Sequence, residues 1–196
     1  MAFANKYPGG TELEISMLFV DVRGSTGLAE QMTAGDFGQL MNRFYKVATD
    51  VLIRTDAIID KFVGDEVIGL YLPIFTGPNH ASPALIAARE LLVATGHSHG
   101  DGPWLPIGIG VHTGPVFVGT VSGAEDSVTD ITALGDNVNI AARLASMAAP
   151  GEALISEIAY AAGGADLGEL ERRRLDLKGR SEPVPARVLR VPIVAV

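Results

Sequence analysis

Apolar and polar residues follow one another along this chain in segments that predict strands and helices in turn. Residues 13–22 are apolar almost throughout near their end, a pattern typical of a central strand. Between residues 36 and 56 the apolar side chains recur every three or four positions, as in an amphipathic helix. Two runs rich in β-branched residues, 57–63 and 67–72, flank a Gly-Asp pair and predict a β-hairpin. The first part of the chain is therefore predicted as strand, helix and hairpin.

The second half of the chain continues this alternation. Residues 84–94 and 135–148 are predicted as helices, and the stretch 105–122 between them as two strands around a Thr-Gly-Pro turn. Further short strands are predicted at 153–155, 174–177 and 186–191. The overall order, roughly βαββαβ with additional C-terminal strands, predicts an α+β sandwich with helices over a mixed sheet.

Length and composition narrow the possible functions. The 196 residues suit one domain, with residues 1–12 as a lead-in and 13–196 as the folded unit. The absence of cysteine excludes disulfides and thiolate chemistry, and a net charge of −8 argues against nucleic-acid binding. Charges interrupt every apolar run and no leader opens the chain, so we expect a cytoplasmic protein without a membrane partner. An anionic substrate would need a bound metal or locally placed Lys and Arg.

Two aspartates at predicted strand ends are candidate metal ligands. Asp65 lies at the tip of the hairpin, and Asp21 ends the first strand before a turn that contains Gly24, Ser25 and Thr26. Turn amides and a helix start at that point can face phosphate groups, and two carboxylates on neighbouring strands can hold a pair of Mg²⁺ ions. The alternative is structural, because Asp is common in turns and at helix caps, and Ser25 and Thr26 are candidate N-caps.

Basic residues in the last third of the chain are candidate phosphate ligands. Asn139 and Arg143 are four residues apart and share one face of the predicted helix 135–148. Arg143 is the lone cation among small and apolar neighbours, and its planar donor group suits phosphate oxygens as well as it suits a salt bridge between helices or subunits. Lys178 and Arg180 lie in a tight turn, which by itself reads as an exposed basic turn.

Four segments, taken in order, resemble the class III nucleotidyl cyclase catalytic domain. They are F-V-D-V-R-G-S-T, D-K-F-V-G-D-E-V, I-G-V-H-T-G-P-V-F-V-G and L-G-D-N-V-N-I-A-A-R-L, and the resemblance runs from about residue 14 to 190. It implies a ferredoxin-like core and a head-to-tail homodimer with two composite active sites. It also implies conversion of a nucleoside triphosphate, with two Mg²⁺ or Mn²⁺ ions per site, to a 3′,5′-cyclic monophosphate and pyrophosphate.

The resemblance also assigns roles to individual residues. Those implied to hold the metals are Asp21, Val22 and Asp65. Asn139 and Arg143 match the pair that orients the ribose and stabilises the transition state. The residues implied to bind the substrate are Lys61 and Thr132 at the base, and Lys178, Gly24, Ser25 and Thr26 around the phosphates.

Thr132 departs from the commonest family pattern, in which an aspartate recognises the adenine amino group. A threonine there resembles the bacterial and soluble subclass, and its hydroxyl can accept the same hydrogen bond but can also donate one. ATP is therefore the expected substrate, with GTP or a pyrimidine nucleotide as the alternative. A catalytically silent dimerisation domain is a further alternative, although all the motif residues are present. A diguanylate cyclase is disfavoured because its Gly-Gly-Asp/Glu-Glu-Phe turn is absent.

Overall fold

The computed structural model describes residues 7, 9–122, 129–164 and 167–194, which form one mixed α+β fold. The strands in this part of the chain are β1 (Thr11–Val22), β2 (Ile58–Val63), β3 (Glu66–Tyr71), β4 (Ile107–Ser122), β5 (Thr129–Leu134), β6 (Glu152–Ser156), β7 (Glu171–Leu175) and β8 (Val184–Leu189). The helices are α1 (Ser25–Gln31), α2 (Ala34–Arg54), α3 (Pro73–Thr76), α4 (Ala81–Ala94), α5 (Asp136–Met147) and α6 (Glu157–Gly163). Within these ranges no helix has both the length and the apolar character needed to cross a bilayer.

All the described strands belong to one sheet, whose order is β2-β3-β1-β4-β6-β8-β7. Only β4 and β6 are parallel, and β5 pairs antiparallel with the C-terminal half of β4. The sheet is therefore mixed, and the predicted α+β class is confirmed. Strand β1 lies in the interior, paired along its length with β4 and over its second half with β3.

The central strand β1 is continuously apolar from Met17 to Val20 because both of its faces are covered there. Leu18, Val20 and Val22 contribute to a core beneath α2 and α4, whereas Met17 and Phe19 belong to a second core that includes residues of α5. Successive side chains of a strand point to opposite faces, so this division follows from the period of two. By the same alternation, Asp21 lies on the face that α5 covers.

Helix α5 approaches β4 so closely that only glycine fits beneath it. A Cβ atom added at Gly110 would lie 2.3 Å from the carbonyl oxygen of Ala141 and 2.3 Å from the amide nitrogen of Ala145. Both atoms belong to the α5 backbone, so the clash can be relieved only if the whole helix moves away from the sheet. The position of α5, which carries Asn139 and Arg143, therefore depends on Gly110.

We expect Gly110→Ala to lower the free energy of unfolding by about 3 kcal/mol or more, since forced overpacking of a core is costly. The matched control is Gly38→Ala in the interior of α2, where an added Cβ meets nothing within 4 Å. That substitution should stabilise the protein by about 0.5–1 kcal/mol, because alanine loses less entropy in a helix. Urea denaturation of both variants measures the difference. Equal stabilities would contradict the close approach of α5.

The predicted Thr-Gly-Pro turn is wrong, because residues 107–122 form the single strand β4. Thr113, Gly114 and Pro115 continue the ladder with β1, in register with Ser16, Ile15 and Glu14. On its other edge, β4 pairs with β6 up to Val111 and with β5 from Phe117 onward. On this edge Pro115 lies in the unpaired stretch between β6 and β5, so its missing N–H removes no hydrogen bond of the sheet.

Several boundaries differ from the sequence-based expectation. Strand β1 begins at Thr11, inside the predicted lead-in, and α3, α6 and β5 were not predicted as elements. Ser25 and Thr26 do not cap a helix: α1 begins at Ser25, preceded by Gly24, and its first turn has no side-chain cap. The side chain that caps α2 is Thr33, whose hydroxyl accepts a hydrogen bond from the Asp36 amide.

Candidate active site

The end of β1 and the β2–β3 turn bring the two predicted metal-binding aspartates together. The Val22 amide donates a hydrogen bond of 3.2 Å to the Asp65 carbonyl oxygen, and Gly64 completes the tight turn with a φ of 61°. Burial raises the pKa of the Asp21 carboxyl; Arg23 opposes that shift, whereas the nearby Asp65 carboxyl adds to it through charge and a hydrogen bond. Two acids held this close repel each other when both are ionised, which favours a bound cation.

Helix α2 fixes the hairpin tip from below. The Tyr45 hydroxyl donates a short hydrogen bond to the Gly64 carbonyl oxygen, and its ring packs edge-on against Phe62 with the centroids 5.2 Å apart. A cleft of about 530 Å³ opens between α1, α2 and this tip, and Ser25, Thr26 and Asp65 are among its lining residues. Three of the predicted site residues therefore border one cavity.

The carboxylates of Asp21 and Asp65 form what we call the acidic end of the site. Two charged residues that the sequence analysis did not single out, Glu66 and Arg23, lie beside them. Glu66 lies directly across from Asp21 in the β1–β3 ladder, so both carboxylates are on one face. Burial and the charges of Asp21 and Asp65 raise the pKa of Glu66 to about 7, against a smaller opposing effect of Arg23. The Arg23 guanidinium forms a short ion pair with Asp21. The only sequence signal for Arg23 is its spacing of two residues from Asp21.

The predicted base-recognition residues, Lys61 and Thr132, lie together. The Lys61 ammonium donates a hydrogen bond of 3.3 Å to the Thr132 hydroxyl, although 71 residues separate the two along the chain. Lys61 is about half exposed and is also 3.5 Å from an Asp60 carboxylate oxygen. Thr132 is buried at 7% exposure. This contact joins the hairpin that carries Asp65 to the strand that leads into α5.

The remaining predicted residues lie on and beside α5. Asn139 is exposed and Arg143 is half-buried, and the turn that contains Lys178 is docked against the same helix. A Cβ atom at Gly179 would be 3.5 Å from an Arg143 guanidinium nitrogen. Arg180 anchors the turn through a short ion pair with Asp136 in the first turn of α5. The structure thus groups Asn139, Arg143 and Lys178 on one element and its neighbouring turn.

Of the two salt bridges considered as alternatives for Arg143, the one between helices is not formed within the described part of the chain, where no ion pair includes this residue. The hydrogen bond observed for Arg143 outside the helix ladder is to its backbone, where the carbonyl oxygen accepts from the Ser146 hydroxyl at 2.9 Å. Its guanidinium lies against the backbone of Gly179. Its donors therefore remain available to an anionic ligand.

A buried histidine holds the first turn of α5 on the sheet. His112 on β4 hydrogen-bonds through Nδ1 to the Ser156 hydroxyl at 2.8 Å and through Nε2 to the Asn137 side chain at 2.9 Å. Asn137 in turn donates to the Pro115 carbonyl oxygen at 2.7 Å. Burial lowers the pKa of His112, so the neutral imidazole is favoured. These hydrogen bonds position the helix that carries Asn139.

The donor set at the acidic end fits a hard divalent cation. Carboxylate oxygens are the ligands that Mg²⁺ and Mn²⁺ prefer, and both cations keep open positions for phosphate oxygens and water. Within the described residues, no group of three or more His, Cys, Asp or Glu is arranged to hold a metal alone. Asp21 and Asp65 therefore provide a partial site, which the oxygens of a bound nucleotide would complete.

Comparison with known proteins agrees with this arrangement. The family model "Adenylate and Guanylate cyclase catalytic domain" matches residues 10–186. The Mycobacterium tuberculosis protein Rv1318c is 33% identical over 186 residues, which cover 90% of this chain and 32% of that protein. The chain thus spans about a third of the length of this uncharacterised relative.

Two solved structures share the fold over nearly the whole chain. The guanylyl cyclase Cya2 superposes with a TM-score of 0.84 at 25% identity, covering 92% of this chain and 93% of its own. The adenylyl cyclase CyaB from P. aeruginosa gives a TM-score of 0.79 at 28% identity, covering 93% and 96% respectively. With the family model matched over most of its length, the chain belongs to the adenylate and guanylate cyclase catalytic domain family.

Proposed function

We propose that this chain is an adenylate cyclase that converts ATP to 3′,5′-cyclic AMP and pyrophosphate at a site shared by two copies of the chain. The observation that supports ATP is the 3.3 Å contact between the Lys61 ammonium and the Thr132 hydroxyl. An ammonium donor is thus next to a hydroxyl that can accept a hydrogen bond. Both lie on the elements that adjoin the acidic hairpin tip and α5.

The two groups complement the edge of adenine better than that of guanine. Adenine presents an acceptor at N1 and an amino donor at N6, which Lys61 and Thr132 can satisfy respectively. Guanine presents a donor at N1, and an ammonium group has no lone pair with which to accept from it. A site built to hydrogen-bond one pattern rejects the other, because a mismatched polar group is left unpaired.

The basic residues around α5 are suited to the triphosphate and the ribose. Arg143 offers a planar fork of donors to oxygens of the α-phosphate, where charge grows during the reaction. Lys178, on the turn docked beside Arg143, supplies a point charge for the terminal phosphates. Asn139 lies one helical turn before Arg143 and would orient the ribose. Ser25 and Thr26 line the cleft together with Asp65, and their backbone and that of Gly24 would contact phosphate oxygens.

Asp21 and Asp65 would hold two Mg²⁺ or Mn²⁺ ions together with the Val22 carbonyl, since the Val22 side chain is buried in the core. When bound, divalent cations neutralise triphosphate charge and make the ribose 3′-hydroxyl easier to deprotonate. The 3′-oxygen then attacks the α-phosphorus, and the bond to the bridging oxygen breaks. Pyrophosphate leaves with that electron pair, and the hydroxyl proton passes to solvent. The protein positions the two ends of one substrate molecule for this in-line displacement.

Catalytic domains of this family work as dimers with a nucleotide substrate. We propose that Asp21 and Asp65 of one protomer face Lys61, Thr132, Asn139, Arg143 and Lys178 of its partner. A two-fold interface is isologous, so a homodimer would contain two equivalent composite sites.

The proposal is tested by incubating the purified chain separately with ATP, GTP, CTP and UTP and Mg²⁺ or Mn²⁺, followed by identification of the cyclic products. We expect cyclic AMP as the main product at matched concentrations. GTP is the second candidate because the similar structure Cya2 is a guanylyl cyclase. Equal or greater cyclic GMP formation would overturn the assignment to ATP. Absence of every cyclic product would instead indicate a silent nucleotide-binding domain.

We expect Lys61→Glu to lower kcat/KM for ATP by about 100-fold, because its carboxylate can no longer donate to adenine N1. Turnover of GTP relative to ATP should rise, since a carboxylate accepts from guanine N1–H. The control is Lys46→Glu, the same charge change at an exposed position of α2. Melting temperatures of both variants should stay close to that of the wild type. An unchanged ATP-to-GTP ratio in Lys61→Glu would show that Lys61 does not contact the base.

A further inference from the structure

Arg23 is packed into the fold beside the acidic end of the site. Its guanidinium forms a short ion pair with Asp21 and donates a hydrogen bond of 3.0 Å to the Ser146 carbonyl oxygen in the last turn of α5. Only 17% of its side chain is exposed. Arg23 therefore connects the end of β1 to the end of α5, with Asp21 as one of its two partners.

The space for this side chain depends on a glycine of β4. Gly108 lies directly across from Asp21, and a Cβ atom there would be 3.0 Å from Arg23 Nε and 2.9 Å from the Ala148 carbonyl oxygen. The guanidinium thus passes over the bare backbone of Gly108 and beneath the end of α5. An arginine side chain that extended into solvent would not need the space left by the missing Cβ atom of Gly108. The packing at Gly108 therefore accommodates Arg23 specifically.

The charge around Arg23 is unbalanced. Asp21 is paired with it, Glu66 lies directly across the strand pair from Asp21, and Asp65 follows the hairpin tip next to both. This region thus contains three carboxylates and one guanidinium, so it can still attract a divalent cation. A cation that uses Asp21 as a ligand must nevertheless compete with Arg23 for the same oxygens and approach a fixed positive charge.

We propose that Arg23 is a built-in counter-ion of Asp21, a positioning residue that Asp21 exchanges for a divalent cation. Without a cation, Arg23 holds the Asp21 carboxylate in place between β1 and α5. When a cation binds, Arg23 releases Asp21 and keeps the Ser146 carbonyl as its partner. The positive charge makes the metal site weak by itself and stronger once nucleotide phosphates add their negative charge. This inference rests on the proposed two-metal function and names the residue that regulates its metal affinity.

The test is a titration of the purified protein with Mn²⁺ in the absence of nucleotide. The concentration of free Mn²⁺ is monitored by electron paramagnetic resonance, which gives the dissociation constant of the protein-bound ion. We expect Arg23→Gln and Arg23→Met to bind Mn²⁺ at least about 10-fold more tightly than the wild type, because a nearby positive charge is removed. Met retains most of the side-chain length over Gly108, so the test stands even if only one neutral variant folds. Arg23→Lys retains the charge and should bind as weakly as the wild type.

The matched control is Arg54→Gln, which removes an exposed arginine that is paired with Asp50 and Glu90 on the outer helices. Its Mn²⁺ affinity should equal that of the wild type. Suppose that the neutral Arg23 variants bind Mn²⁺ no more tightly than the wild type, while the wild type still forms cyclic nucleotide. Arg23 then only connects β1 to α5, and this inference fails although the proposed function stands. If the wild type binds no Mn²⁺ even with ATP present, the proposed function fails with it.

Discussion

Asp65→Ala and Asp21→Ala are each expected to reduce cyclic nucleotide formation by at least about 1000-fold. The two carboxylates meet at the hairpin tip, where the Val22 amide ties β1 to the Asp65 carbonyl. Loss of a shared metal ligand removes several kcal/mol of charge stabilisation in the transition state, and each 1.4 kcal/mol is a factor of ten in rate. Steady-state assays with saturating ATP and Mn²⁺ measure the effect.

The fold should survive both substitutions, because neither carboxylate belongs to an apolar core. Asp65→Ala removes one of two repelling acids and should leave the melting temperature of the metal-free protein unchanged or raise it. Asp21→Ala also removes the ion-pair partner of the mostly buried Arg23, so its melting temperature should fall without loss of the fold. Asp50→Ala is the matched control: it makes the same chemical change on α2, where Asp50 is exposed and paired with Arg54. It should retain full turnover. Near-native activity of Asp65→Ala in a folded, dimeric protein would contradict the metal assignment.

A mixture of two inactive variants is expected to recover activity. Asp21→Ala damages the acidic half of each composite site, and Arg143→Ala damages the phosphate-binding half. A mixed dimer then has one doubly damaged site and one intact site. With random exchange about half of the dimers are mixed, so the mixture should reach about a quarter of wild-type activity. The assay compares each variant alone with the mixture after subunit exchange.

A second mixture serves as the control for that experiment. Asp21→Ala and Asp65→Ala damage the same half of the site, so every site in their mixed dimers remains defective. No recovery is expected, even though exchange proceeds in the same way. Recovery in this control, or no recovery with Arg143→Ala once exchange has been verified by mass-tagged subunits, would show that the site residues act within one chain.

The local sequence pattern predicted those elements in which each face keeps a single environment, buried or exposed, along most of the element. Strand β1 was recognised because both of its faces are buried, and α2 because Phe44 and Leu52 mark one covered face. The hairpin was recognised from its Gly-Asp turn. The Thr-Gly-Pro segment was misread because the tolerance of β4 for Pro115 depends on where β5 and β6 pair, which lies far away in sequence.

The residues of the candidate site likewise divide into those that the sequence could predict and those that it could not. Asp21 and Asp65 could be paired from strand ends alone. A shared location for Lys61 and Thr132 followed only from the family resemblance, which implies that both bind the base, since 71 residues separate them. Arg23 and Glu66 were missed for a physical reason. Their importance follows from the cross-strand register that places Glu66 opposite Asp21, and a sequence does not reveal the register before the strands are paired.

The central claim is intramolecular cyclisation of ATP, and the most direct measurement is the product stoichiometry from ATP with Mn²⁺, determined by mass spectrometry and a pyrophosphate assay. We predict equimolar cyclic AMP and pyrophosphate. The control substrate is 3′-deoxy-ATP, which lacks the attacking hydroxyl and should inhibit the reaction competitively without forming a product. Formation of ADP and phosphate from ATP, or nucleotide binding with no turnover at all, would contradict the account.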